Sequence, residues 1–233
     1  MMKLNNNIET PEWILKDLAK SGLTLKNFPI EPLTSEQELR ERLGFTSIAG
    51  TPIITVSGYW ILYPNIPGFY RLKLKEKIGE IKYLSPKGAG NHPFILPEVY
   101  KIATAYNPDK PIFFTEGEKK AAKATLEGFP CIGLSGVWCF KDKDSDFLAD
   151  LDELNFKHRR CYICFDSDIT HKLNIRQAEL RLTVELLNRG AEVFAVRLPD
   201  EENGDKNGLD DYLVRHGRDS FTALLKNSEE VSE

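Results

Sequence analysis

No apolar run in these 233 residues approaches the ~20 consecutive apolar residues of a membrane span, so no membrane partner is expected. The N-terminal stretch MMKLNNNIETPEW lacks the apolar core of a secretory signal. Cysteine is scarce, with four in the chain. A cytoplasmic protein with reduced thiols is the expectation. Cys161 and Cys164 form a CxxC, but they fall in a strand-like run, CYICF, where positions i and i+3 face opposite ways. Two thiolates so placed do not share a metal, and buried structural cysteines are expected. Charge of one sign is also missing: 31 Lys and Arg against 35 Asp and Glu leave a net charge of -4. Attraction of nucleic acid by the whole molecule is therefore excluded, and a local basic patch has to carry any such role. Neither internal repeats nor low-complexity tracts occur.

What is present divides at about residue 106. From 107 to 227, strand and helix signals alternate: PIFFT (111–115), EKKAAKATLEG (118–128), FPCIGLSG (129–136), DSDFLADLDEL (144–154), RRCYICFDSD (159–168), IRQAELRLTVELLNRG (175–190), AEVFAVRLP (191–199), LDDYLVRHG (209–217) and SFTALLKN. That spacing predicts βαβ units and a mostly parallel sheet flanked by helices. Residues 1–106 read as a smaller α+β subdomain. Its helix signals are TPEWILKDLAKSGL (10–23) and TSEQELRERLG (34–44), with Thr34 or Ser35 as the cap of the second. Strand signals and a basic hairpin follow over 50–88. A loop around 91–109 is expected to join the halves, and residues 228–233 read as an acidic disordered tail.

Open parallel sheets gather functional groups at the C-terminal ends of their strands. Three acidic elements stand at such ends: Glu116, the DSD of 166–168, and the cluster within DEENGDKNGLDDYL (200–213). Carboxylates converging from neighbouring strands suit a hard cation such as Mg²⁺, whose remaining ligands are waters and substrate phosphates. Capping of the following helices is the simpler use of each acid taken alone.

In RLKLKEK (71–77), Arg71, Lys73, Lys75 and Lys77 lie on one strand face and Leu72 and Leu74 on the other. Residues 66–101 carry seven Lys and Arg against three Asp and Glu. With Lys82, such a row can follow phosphates, and Tyr70 and Tyr83 can stack on bases. Protection of an edge strand is the competing use of these lysines.

The order strand-Glu116-Gly117 followed by strand-Asp166-x-Asp168 resembles the Toprim domain family, in particular its primase branch. TEGEKKAAKA resembles the opening motif, IGLSGVW (132–138) the second-strand turn, CFDSD the Asp-x-Asp motif, and KNGLDDYLVRHG (206–217) the late primase segment. The resemblance implies a Toprim-like catalytic domain over 107–227, preceded by a basic subdomain. It implies Glu116 as general base, with Glu116, Asp166, Asp168 and Asp210 as ligands of Mg²⁺ or Mn²⁺. Arg71, Lys73, Lys75, Lys77, Lys82, Lys119, Lys120 and Lys172 are the expected nucleic-acid contacts. Two departures stand out. Gly208 occupies the place of the first late aspartate, and Glu118-Lys119-Lys120 differs from the usual primase sequence. The zinc module of replicative primases has no counterpart before residue 92.

The implied function is primer synthesis on single-stranded DNA from nucleotides in a phage, plasmid or other mobile-element replication system. A Toprim nuclease and a non-catalytic DNA-binding accessory of a replicative helicase are the alternatives. A topoisomerase is not expected, because no large domain with a strand-cleaving tyrosine is read in these residues.

Overall fold

Leu72 and Leu74 alternate with Arg71 and Lys73, and this period of two gives the first half of the chain a sheet with two unlike faces. The computed structural model describes residues 10–48, 50–53, 56–201 and 206–231. Helix α1 (Glu12–Lys20) leads to strand β1 (Ile30–Pro32) and helix α2 (Glu36–Leu43). Then come a short ladder of β2 (Ser47–Ile48) and β3 (Thr51–Pro52), and strands β4 (Gly58–Leu62), β5 (Tyr70–Ile78) and β6 (Ile81–Leu84). Strands β1, β4, β5 and β6 form an antiparallel sheet in that order. On one face, Leu72 and Leu74 join Leu39, Leu43, Ile53, Trp60 and Leu84 in a small core. Ser35 caps α2, accepting from the Glu38 amide at 3.1 Å.

The second half contains α3 (Pro97–Thr104), β7 (Ile112–Glu116), α4 (Glu118–Leu126), β8 (Cys131–Leu134) and α5 (Ala149–Asp152). It continues through β9 (Arg160–Ile163), α6 (Leu173–Leu187), β10 (Glu192–Ala195), α7 (Leu209–Lys226) and β11 (Glu229–Val231). The sheet order is β11-β10-β9-β7-β8, with β8, β7, β9 and β10 mutually parallel. Ile112, Phe113, Phe114 and Thr115 are all buried, as a parallel sheet covered on both faces requires. This is the expected α/β architecture: a mostly parallel sheet flanked by helices, after a smaller α+β part. The β7–β9 pairing sets the ends of these two strands side by side.

The halves meeting at residue 106 share one hydrophobic core. Ile14 and Leu18 of α1, Tyr59 of β4, and Tyr63 and Phe69 pack in the same cluster as Phe113, Phe114 and Ile163. Phe94 and Gly133 exchange backbone hydrogen bonds of 2.8 and 2.9 Å across the junction. Arg159, 1% exposed, donates to the carbonyls of Ala105 and Lys110. A buried guanidinium needs such acceptors, and here they tie the linking segment to the parallel sheet.

Three expectations are corrected. The joining loop of 91–109 contains α3. Pro97 starts it at a position where a missing N–H costs nothing, and buried Val99 and Ala103 anchor it. The helix expected over 144–154 is a single turn. Asp142 accepts from the Asp144 amide at 2.8 Å and Ser145 Oγ donates to the Phe147 carbonyl at 2.5 Å, so side chains satisfy the backbone before a helix starts. The expected disordered tail is ordered at its beginning, where Glu229–Val231 pairs antiparallel with β10 and covers a sheet edge. Residues 232–233 lie outside the described residues. The two helices expected over 209–227 are found as α7, broken at Gly217 (φ 75°), the glycine read as the stop of the first.

Candidate active-site cleft

Glu116 is the last residue of β7, and Gly117 turns the chain into α4 with φ 104° and ψ 147°, a conformation open to glycine. The Gly117 amide donates to the Leu134 carbonyl at 2.6 Å, fixing the turn to the end of β8. Gly133 lets the turn sit this close, since a Cβ there would lie 2.9 Å from the Gly117 carbonyl oxygen. Asp166 follows β9 and stands at the start of a single 3-10 turn, Ser167–Thr170, without capping it. The capping use of this acid is thereby set aside.

Asp166 is 3% exposed, and both its oxygens are taken. Lys120, from the first turn of α4, donates to Oδ1, and Lys206 donates to Oδ2 at 2.9 Å. Burial pushes the Asp166 carboxyl up, and Lys120 and Lys206 outweigh it, leaving the pKa below the usual carboxylate range. Glu116 behaves in the opposite way. Burial raises its pKa, Lys120 opposes the rise, and Asp166 adds to it. The Glu116 side chain makes no hydrogen bond among the described residues.

These groups open into a cleft of about 450 Å³. One wall is the parallel sheet's edge, with Glu116, Asp166, Lys206, Asp210 and Asp211. The other is built by Asp17, Lys20 and Ser21 at α1 and by Arg71, Lys82 and Tyr83 of the β5–β6 hairpin. Ser21 Oγ donates to Asp210 Oδ2 at 2.5 Å, joining the walls at the base of α7.

Of the four expected ligands, Glu116, Asp166 and Asp210 line the cleft and Asp168 does not. Asp168 lies in the 3-10 turn and is not among the residues lining the cleft. Its Oδ2 accepts from Lys172 at 2.7 Å, while its buried Oδ1 has no hydrogen-bond partner. Asp210 is held by Ser21 and Asp166 by two ammonium groups. Among the described residues, no three Asp, Glu, His or Cys side chains are grouped to hold a metal ion. As arranged, then, the donor set among the described residues does not fit a divalent cation.

The basic row of β5 splits by depth, because its face meets α1 and α4 rather than water alone. Arg71 donates to Glu118 Oε1 at 2.6 Å, and Lys73 pairs with Asp17 at 2.9 Å. Both head groups are thus engaged by carboxylates, Arg71 within the cleft lining and Lys73 outside it. Lys75 lies 5.9 Å from the centre of the Trp13 ring, and Lys77 is exposed beside Glu80. Lys119 pairs with Asp17 at 3.3 Å. Lys82 lines the cleft and makes no ion pair among the described residues, and burial, with Lys119 nearby, lowers its pKa. Tyr83 lies beneath the Arg71 guanidinium, and Tyr70 packs edge-on against Trp60 at 5.1 Å.

Cys131, Cys161 and Cys164 are buried free thiols, with Cys161 pushed up to about 12 by burial. Among the described residues, no helix is long and apolar enough to cross a membrane.

Sequence reasoning did not single out Asp17, Lys20, Ser21, Glu118, Lys206 or Asp211 as site residues. Lys206 had a signal, since it heads the segment KNGLDDYL. Asp17 had none, because the cations it serves lie far along the chain.

A family model described as Domain of unknown function (DUF3854) matches residues 103–220, about half of the chain. An uncharacterized protein of Picosynechococcus sp. (strain ATCC 27264 / PCC 7002 / PR-6) is 30% identical over 124 residues, covering 48% of this chain and 12% of that protein. Two solved structures are similar in fold. One comprises the zinc-binding and RNA polymerase domains of the Aquifex aeolicus primase, with a TM-score of 0.63 and 15% identity. It covers 95% of this chain and 57% of that one. The other is a DnaG primase catalytic domain bound to ssDNA, with a TM-score of 0.63, 16% identity, and coverage of 95% and 74%. The chain therefore spans about an eighth of its curated relative and just over half of the Aquifex chain.

Proposed function

This chain belongs to the family described as Domain of unknown function (DUF3854), and we propose that it is a primase-type protein of a phage, plasmid or other mobile-element replication system. In this proposal it binds single-stranded DNA in the cleft and joins nucleotides there. The observation that carries the reading is the placement of Glu116 and Asp166 at neighbouring strand ends, lining the same cleft as Lys82 of the antiparallel sheet. The likeness in fold to primase catalytic cores, one of them described as bound to ssDNA, supports the same reading.

The residues divide the work by their chemistry. Glu116, unbonded and with its pKa raised by burial, is the proton acceptor for an attacking hydroxyl. Lys82 contributes positive charge to the wall that a phosphate backbone follows. Gly117, with no side chain, lets a phosphate approach beside Glu116.

The pairing of Asp166 with two lysines favours a second reading, an accessory that binds DNA beside a replicative helicase without polymerising. One assay separates the readings. The protein and its Asp166→Ala and Glu116→Gln variants are incubated with single-stranded DNA and labelled ribo- and deoxyribonucleotides, in Mg²⁺, Mn²⁺ or EDTA. New oligonucleotides that disappear in the variants support the primase. Shortened template indicates a nuclease, and binding without product leaves the accessory.

A further inference from the structure

Gly208 lines the cleft beside Lys120, Asp210 and Asp211. A Cβ on Gly208 would lie 2.9 Å from Lys120 Cε, 3.1 Å from Asp210 Oδ1 and 3.2 Å from Asp211 Oδ2. The space a side chain would need at 208 is filled by the stem of Lys120 on its way to Asp166. A glycine at 208 and a lysine at 120 are thus one structural feature: a side chain at 208 would press the lysine out of its place.

We propose that Lys120 and Lys206 are a built-in countercharge occupying the cation position on Asp166, so that this cleft engages phosphate groups without a divalent ion. The two lysines reach Asp166 from different elements, one from the start of α4 and one from the segment before α7. Each takes a separate oxygen of a carboxylate that is 3% exposed. An ammonium carries three donor hydrogens, so each lysine keeps two after serving Asp166. Those hydrogens, beside Glu116, are where a phosphate oxygen binds.

The arrangement also works against a metal. Mg²⁺ needs several oxygen ligands in a near-octahedral shell, and both oxygens of the central acid are already bound. A divalent ion entering there meets two positive head groups at close range. Being attached to the chain, those head groups are present at high effective concentration however little metal is in solution. The proposal concerns the same cleft as the primase reading, and its DNA and nucleotide arm rests on that reading, but its metal arm does not.

The test uses the intact chain. Free Mn²⁺ is titrated against protein by electron paramagnetic resonance, for the wild type, Lys120→Ala, Lys206→Ala and the double variant Lys120→Ala/Gly208→Asp. The wild type is expected to show no stoichiometric Mn²⁺ site. Removing Lys120 tightens Mn²⁺ binding on the order of tenfold or more, and adding the acid at 208 tightens it further. In parallel, affinities for a fluorescent oligo-dT and for ATP are measured in EDTA and in Mg²⁺, separating a backbone phosphate from a nucleotide triphosphate. Wild-type affinity for at least one of the two is expected to be equal in EDTA and Mg²⁺. Lys120→Ala is expected to lose on the order of tenfold in EDTA and to recover part of it with Mg²⁺. Lys206→Ala removes a largely exposed side chain, so it keeps the test open where Lys120→Ala unfolds. One tight Mn²⁺ per wild-type chain, with no gain in either lysine variant, overturns the proposal, as does wild-type phosphate binding that vanishes in EDTA. If the Mn²⁺ results hold but neither oligo-dT nor ATP binds under any condition, the phosphate half is overturned together with the nucleic-acid reading. The countercharge on Asp166 then stands alone.

Discussion

Arg71 on the β5–β6 hairpin and Glu118 on the first turn of α4 form a buried ion pair of 2.6 Å, two residues beyond the acid at the tip of β7. Tyr63, the residue after β4, donates to the same Glu118 oxygen at 2.7 Å, so Oε1 is held from two places on the antiparallel sheet. Burial works against the Arg71 charge, and Glu118 more than restores it. This pair sets the basic sheet against the parallel sheet, and the cleft is the space left beside it. Glu118→Ala or Arg71→Ala is expected to cost about 3–5 kcal/mol, because each strands the opposite charge in the interior. The Arg71→Met/Glu118→Leu double variant costs less than either alone. Urea unfolding of the four proteins checks the order, and equal losses for single and double variants refute it.

Gly117 holds φ 104° and ψ 147° between Glu116 and α4. Gly117→Ala is expected to lose about 1–3 kcal/mol of stability from backbone strain alone, since nothing lies within 4 Å of the added Cβ. Thermal or urea denaturation reads this directly, and an unchanged midpoint contradicts the strain.

Asp17 on α1 serves Lys73 at 2.9 Å, Lys119 at 3.3 Å and the Tyr59 hydroxyl at 2.7 Å. Burial pushes its carboxyl up, but Lys119, Lys73 and Tyr59 outweigh burial and hold it at about 2, below the usual aspartate value of 3.8. The folded pKa is the lower one, so the stabilisation is complete above the unfolded pKa and fades as pH falls from about 4 toward 2. After allowance for solvent screening it amounts to roughly 1–2 kcal/mol. The stability gap between wild type and Asp17→Asn is expected to narrow from pH 5 to pH 3 in urea titrations. A gap that is constant or grows in acid is the contrary result.

Lys82 is the hairpin cation that faces the cleft without an ion pair among the described residues. Lys82→Ala is expected to weaken single-stranded DNA binding and to lower the slope of log affinity against log salt by about 0.7. Fluorescence anisotropy at several salt concentrations measures both. Lys73→Ala is expected to act mainly on stability, since Lys73 is already committed to Asp17.

The alternation of strand and helix signals after residue 106 was enough to specify a parallel sheet, because period and spacing are local properties of a chain. The same local logic placed Glu116 and Asp166 at strand ends and Gly217 at a helix stop. The short helix α3 escaped because Pro and Tyr mark loops by composition, whereas burial of Val99 and Ala103 is a tertiary fact. The basic strand shows the limit most clearly. Alternation correctly sorted Arg71 and Lys73 from Leu72 and Leu74, but it assumed that the charged face met water. Only the docking of α1 and α4 on that face turned two expected phosphate contacts into buried ion pairs. The acid edge divides in the same way. The strands and the acids at their ends were legible from residue types in sequence, and the order of strands in the sheet and the occupancy of Asp166 by Lys120 and Lys206 were not. Those partners lie 46 and 40 residues away in the chain, and which cation reaches a carboxylate is decided by folded distance rather than by spacing.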